Sequence, residues 1–204
     1  MIASVNHAKD LLRRVLFSVF DKTFLFPALE KASRRGGLLF AGGVLLGTTV
    51  ARADMISLGS DNPEVVWKTK AVAEVPQDGA ALSRSGIGTA HWLRASIPGT
   101  AFGAAVAAGI EKNPDFGDNV ERVDHAKYNR DFWYRAEFAV PASFQGRAIW
   151  LNFAGINKSG DIYLNGTKLG SLYGFMQRGR YDVTKLVHSG PGNVLAVSAG
   201  PPQE

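Results

Sequence analysis

The chain has 204 residues, with 46% hydrophobic and 20% charged residues, a composition that fits a globular protein and excludes disorder. The formal net charge of +5 suggests a nucleic-acid partner until it is placed: residues 1–53 carry eight Lys/Arg and three acids, and the remainder is neutral. No basic face is left on the folded part to follow a phosphate backbone, and the lack of cysteine excludes disulfides, thiol catalysis and Cys-based zinc sites.

Leu11, Leu12, Val15, Leu16 and Val19 recur at helical spacing, so a basic amphipathic helix is one reading of the first residues. An over-long leader or a start placed too far upstream is the plainer one. Ser33-Arg34-Arg35 then precedes an uncharged run over 36–50, followed by Ala51-Arg52-Ala53. A positive flank, a short apolar run and small residues around a cleavage point describe a signal peptide cut after Ala53. The Arg pair also permits twin-arginine export. An uncleaved segment would touch the membrane through this leader alone. Residues 1–53 are therefore set aside from the fold, and 54–64 read as a flexible entry.

Val65–Lys70 has the β-branched and aromatic content of a first strand. Residues 76–90 read as loop. Pro98-Gly99 marks a turn, and Thr100 is an N-cap for a short helix over Ala101–Ile110. Residues 111–130 are polar and irregular, a long surface loop of the kind that carries function. In Phe132–Val140, Phe132, Tyr134, Ala136, Phe138 and Val140 alternate with their neighbours, the period of a strand with one buried face. Ala148–Phe153 repeats the pattern through Ile149, Leu151 and Phe153. Asn165-Gly166 predicts a type I′ hairpin between Asp161–Leu164 and Thr167–Ser171. Residues 173–180 read as loop, Lys185–Val187 as a single helical turn, and Asn193–Ser198 as a last strand. Short strands with turn chemistry between them predict an all-β sandwich or jelly roll over 65–204.

The blocks FWYRAEFAVP, RAIWLNFAGIN, DIYLNGTKLG, GRYDVTKLV and GNVLAV, in this order, resemble the N-terminal sugar-binding domain of glycoside hydrolase family 2. Trp92, Ile97–Thr100 and Asn113–Asn119 are most similar to its β-mannosidase and exo-β-D-glucosaminidase branch. The resemblance covers Val65 to Pro202. It implies a galactose-binding-like jelly roll, followed in the family by an immunoglobulin-like domain and a TIM barrel with two catalytic carboxylates acting as a retaining pair. Neither of those domains is in the chain, and the final strand expected to close the sheet would lie beyond it. Carbohydrate is the implied ligand, with no cofactor and no metal.

The resemblance also points to site residues. Asn119 falls where the family places an asparagine that reaches the active site, and an amide both donates to and accepts from hydroxyls. An Asx-turn role is the alternative. Asp118 is a candidate for a hydroxyl or a substrate amine, with loop capping as its alternative. Trp92 and Trp133 are candidates to stack on a pyranose, with packing the commoner use of such residues. Met176, Gln177 and Arg178 lie in a loop that default reading leaves solvated. No catalytic set is readable: Glu137 reads as facing solvent or a cross-strand Arg, and His91, His125 and His188 have no metal spacing. Hydrolysis by this chain alone is not expected. A free-standing carbohydrate-binding module and a purely structural sandwich are the rival readings.

Overall fold

The computed structural model describes residues 23–27, 54–174 and 177–201. The expected amphipathic helix, the apolar run 36–50, the cleavage point after Ala53 and Met176 all lie outside these residues. In chain order the strands are β1 (Thr23–Pro27), β2 (Ile56–Ser57), β3 (Val66–Ala71), β4 (Leu93–Ala95), β5 (Phe132–Val140), β6 (Ile149–Phe153), β7 (Ser159–Leu164), β8 (Thr167–Tyr173), β9 (Gly179–Asp182) and β10 (Gly190–Gly200). Two short α-helices, α1 (Gly79–Leu82) and α2 (Ala101–Ala107), and four 3-10 turns (Val72–Glu74, Asn119–Arg122, His125–Lys127 and Ala142–Phe144) complete the described elements.

The strands form two antiparallel sheets. One has the order β2-β1-β6-β9, the other β4-β3-β5-β10-β7-β8. The core lies between them, where Trp67, Tyr134, Phe138, Leu151, Phe153, Ile162, Leu195 and Val197 are buried. These are the alternating apolar positions of their strands, each worth roughly 1.5–3 kcal/mol when removed from water. The all-β sandwich expected from the sequence is therefore the observed fold.

Several elements match their sequence reading closely. β5 spans the predicted residues and pairs with both β3 and β10. Asn165 and Gly166 adopt φ 48° and 87°, the left-handed pair a two-residue hairpin requires. The Thr100 hydroxyl accepts from Gly103 N at 2.9 Å and caps α2. That helix stops at Ala107, short of the expected Ile110, and Gly109 follows in a left-handed conformation at φ 72°. The helical turn expected at Lys185–Val187 is a turn closed from Leu186 N and Val187 N to Val183 O.

Five features differ from expectation. The stretch 54–64, read as a flexible entry, holds β2 and is tied down by Asn62 Nδ2 donating to Ser57 O and by the bonds between Ser60 and Ile97. Residues 173–180, read as loop, include the end of β8 and the start of β9. Thr23–Pro27, inside the stretch set aside as leader, is a strand seated between β2 and β6. Leu93–Ala95 extends the larger sheet beside β3. The supposed loop 76–90 holds α1, capped by Asp78, whose carboxylate accepts from Ala81 N at 2.8 Å. Asp-Gly-Ala-Ala is a fair N-cap signature, but a helix of four residues shows no periodicity to read.

α1 and its flanks cover the outer face of the larger sheet. Leu82, Trp133 and Ala196 are buried together there, with Val72, Val75, Ile87, Trp92 and Tyr163 packed around them. Only a glycine fits at position 79, because a Cβ there would meet the Tyr163 ring at 2.3 Å. Arg135 pins the cover: its Nε donates to Leu82 O at 2.9 Å and its Nη2 to Arg84 O at 3.0 Å. The same guanidinium meets Glu137 Oε1 at 2.6 Å. Glu137 is half exposed, as the sequence reading expects, and its arginine partner lies on its own strand rather than across the sheet.

Candidate functional site

β5 sets two ends about 27 Å apart, from nine residues at strand rise. Before Phe132 lies the loop 111–131. Beyond Val140 lies a groove of about 540 Å³ lined by Ile56, Glu64, Glu137, Phe138, Pro141 and Pro191, among others. None of Asn119, Asp118, Trp92 and Trp133 lines that groove.

The loop is tied at its base and open at its tip. Tyr128 donates its hydroxyl to Glu111 Oε1 at 2.9 Å, meets Phe102 edge-on at 5.1 Å, and stacks on Phe132 at 6.4 Å. Burial, reinforced by the Glu111 carboxylate, pushes the Tyr128 hydroxyl well above its usual range, so it remains a proton donor. Arg130 pairs with Glu74 at 2.9 Å and lies over the Phe132 ring. Val123 is buried beneath.

At the tip, Asn119 Nδ2 donates to Asn113 O at 2.9 Å, while Asn113 Oδ1 accepts from Asp115 N at 3.0 Å. The Asn119 side chain thus closes its own loop with its N–H. Its Oδ1 accepts no hydrogen bond among the described residues and remains available to a hydroxyl. Asp118 forms an exposed ion pair with Arg122 at 2.6 Å. The hydrogen bond and charge of Arg122 hold the Asp118 carboxyl below its usual range. Both residues are therefore on one exposed loop, next to Phe116, which is 77% exposed. An exposed phenylalanine beside turn residues leaves no periodic signal, and the sequence reading did not single it out.

The two tryptophans belong elsewhere. Trp133 is 6% exposed and packs under α1 against Leu82 and the Tyr163 ring, at 5.9 Å. Trp92 is half-buried in the same cluster. This corrects the stacking reading for Trp133: its face is taken by the cover, because the first half of β5 is buried on both sides. Gln177 accepts from Tyr173 N at 2.9 Å and closes its own loop. Among the described residues no group of three His, Asp or Glu converges to hold a metal ion.

The geometry defines a β-sandwich that presents a braced polar loop at one end. The chain belongs to the glycosyl hydrolase 2 galactose-binding domain-like family, whose model matches residues 67–204. It is 32% identical over 143 residues to a mannosylglycoprotein endo-beta-mannosidase of Lilium longiflorum, covering 67% of this chain and 15% of the relative. It is 28% identical over 139 residues to an exo-beta-D-glucosaminidase of Streptomyces avermitilis, with the same coverage. Among solved structures, the exo-chitosanase of Amycolatopsis orientalis superimposes with a TM-score of 0.61 at 26% identity, over 68% of this chain and 16% of that one. The chain therefore spans about one sixth of the length of these relatives.

Proposed function

We propose that this chain is the N-terminal sugar-binding domain of a retaining β-glycosidase that removes β-mannosyl or β-glucosaminyl residues, with hydrolysis carried by a barrel domain outside this sequence. The observation that carries the reading is the family match over 67–204, joined to relatives that are themselves a mannosidase and glucosaminidases. Retention needs two carboxyl groups about 5–5.5 Å apart across the scissile bond. In this reading the domain supplies neither of them. Its part is to hold Asn119 and Asp118 at the rim of the active site, where the free Asn119 Oδ1 accepts from a sugar hydroxyl and Asp118 meets a hydroxyl or amine.

The test is a p-nitrophenyl β-glycoside assay on the parent enzyme. Asn119→Ala lowers kcat/KM by about ten- to a hundredfold, the loss expected for a hydrogen bond to substrate of roughly 1.4–2.7 kcal/mol. The chain of 204 residues alone releases no nitrophenol. Undiminished kcat/KM in Asn119→Ala would remove the loop from the site. Saturable heat on titrating the chain alone with oligosaccharide would favour the free-standing module instead.

Residues 1–53 serve, in the same proposal, as an export leader cut after Ala53, so that β1 leaves the sheet with the leader and the mature domain, from Asp54, lies outside the cytoplasm. N-terminal sequencing of secreted protein tests this. A first residue other than Asp54 or its near neighbours would refute the cleavage point.

A further inference from the structure

Among the described residues Phe116 is the most exposed large apolar side chain, at 77%. Exposure of one such side chain calls for no explanation by itself. Its setting does. The rings at the base of the same loop are packed, Tyr128 against Phe102 and Phe132. Phe116 stands at the tip instead, and the turn that carries it is pinned. Asn113 Oδ1 accepts from Asp115 N at 3.0 Å, and Asn113 O accepts both from Phe116 N at 3.3 Å and from Asn119 Nδ2 at 2.9 Å. Phe116 O accepts in turn from Asn119 N at 3.4 Å. Both main-chain groups of Phe116 are thus engaged, and only its side-chain torsions remain to be fixed. Gly117 follows at φ 60°, and a Cβ there would meet nothing within 4 Å, so the tip has open space around it. The same turn holds Asn119, whose Oδ1 accepts no hydrogen bond among the described residues.

We infer that Phe116 is a sugar-stacking residue: its ring lies against the C–H face of a substrate pyranose, while Asn119 Oδ1 on the same turn accepts from one of that sugar's hydroxyls. This rests on the proposed function and adds to it the apolar half of the contact. A pyranose carries C–H groups on its faces and hydroxyls around its rim. A flat apolar surface and an acceptor placed at its edge therefore recognise it together. The face of a phenyl ring is electron-rich, and C–H groups with partial positive charge pack on it. The polar group orients the ligand, and the ring supplies apolar area removed from water. Because the turn is already pinned, the ring is presented without the ordering cost of a free loop. A stack of this kind holds the bound sugar and its transition state alike, so it contributes to binding rather than to the chemical step.

The test compares substitutions at Phe116 in the parent enzyme, assayed on a p-nitrophenyl β-glycoside. Phe116→Ala raises KM about five- to tenfold with kcat unchanged, the pattern of lost uniform binding. Phe116→Tyr keeps the ring and holds KM within about twofold of the unaltered enzyme. Phe116→Leu keeps apolar bulk without a flat face, and binds as weakly as Phe116→Ala. In the chain of 204 residues alone, none of the three moves the melting temperature, because the ring is exposed there. A drop in that temperature would place the ring in the domain's own packing and overturn the stacking. Full rescue by Phe116→Leu, with a lower melting temperature for Phe116→Ala in the parent, would assign the ring to a contact with another domain and overturn it too. Asn119→Ala, run beside these, separates two further failures. If Asn119→Ala lowers kcat/KM while Phe116→Ala leaves KM unchanged, the stacking alone falls. If neither substitution has an effect, the stacking falls together with the placement of the loop at the active site.

Discussion

The two ends of the sandwich are built from different materials. At the hairpin end, Asn193 is 0% exposed and ties three segments together. Its Oδ1 accepts from Asn165 Nδ2 at 2.9 Å and from His188 N at 3.0 Å, and its Nδ2 donates to His188 O at 2.8 Å and Gly190 O at 3.2 Å. Asn165 adds bonds from its Nδ2 to Leu186 O and from Val194 N to its Oδ1, both 2.8 Å. At the loop end, Asn119 makes one local side-chain bond, and Asp118 pairs with the exposed Arg122. The same residue types thus serve opposite purposes. Buried and saturated amides hold the scaffold, whereas an amide with an unused acceptor is left where a ligand can reach it.

Substitutions should separate the two ends, and the largest effect belongs to the hairpin. Asn193→Ala removes four hydrogen bonds to part-buried partners and is expected to lower stability by about 2–3 kcal/mol, read as a shift of the urea midpoint. A loss below about 1 kcal/mol would mean that water replaces the side chain. Next comes Arg135→Met, which frees the carbonyls of Leu82 and Arg84. A loss of about 2–3 kcal/mol is expected, with faster amide exchange confined to residues 79–84. Protection of α1 equal to that of the unaltered chain would show that the guanidinium does not hold the cover. Gly166→Ala imposes a side chain at φ 87°, where its Cβ would also lie 2.9 Å from Arg84 Nε. About 1–2 kcal/mol is expected from the left-handed backbone, and calorimetry should show a lower Tm without loss of two-state melting.

At the loop end, Asn119→Ala and Asp118→Asn leave the melting temperature unchanged, and a drop in either would move these residues from the site to the scaffold. Asp118 offers a finer reading through pH. Its carboxyl is held below the usual range by Arg122, so the pair is intact above that range and is lost as pH falls through the lowered value. Carboxyl carbon NMR should show Arg122→Ala returning Asp118 toward the ordinary carboxylate range. An unshifted titration would mean the pair does not persist in solution.

Much of this architecture is legible from single residues. The alternation in β5 and the Asn165-Gly166 dipeptide identify the central strand and the hairpin because each reflects a strict backbone requirement. Ile149, Leu151 and Phe153 identify β6 for the same reason. Trp133 obeys a constraint that alternation does not carry. Alternation identifies one buried face of β5, but the second is buried by α1, which is brought across the sheet by Arg135 contacts some fifty residues away in sequence. β1 is illegible for a related cause: Thr23–Pro27 finds its strand partners in β2 and β6, far along the chain. The loop site was read from the family pattern of Asp118 and Asn119, whereas Tyr128, which braces it, acts through Glu111 and Phe102 at separations no short motif records.

The Asn193 joint has a consequence for ionic strength. Its bonds run between neutral amides and main-chain groups, so dissolved ions have no net charge there to screen. The ties around the loop include Lys127–Glu111, Arg130–Glu74 and Arg122–Asp118, all with at least one exposed charge. At about 1 M salt the screening length falls to about 3 Å and such pairs weaken. Rising salt should therefore loosen the presenting loop while the hairpin end keeps its shape.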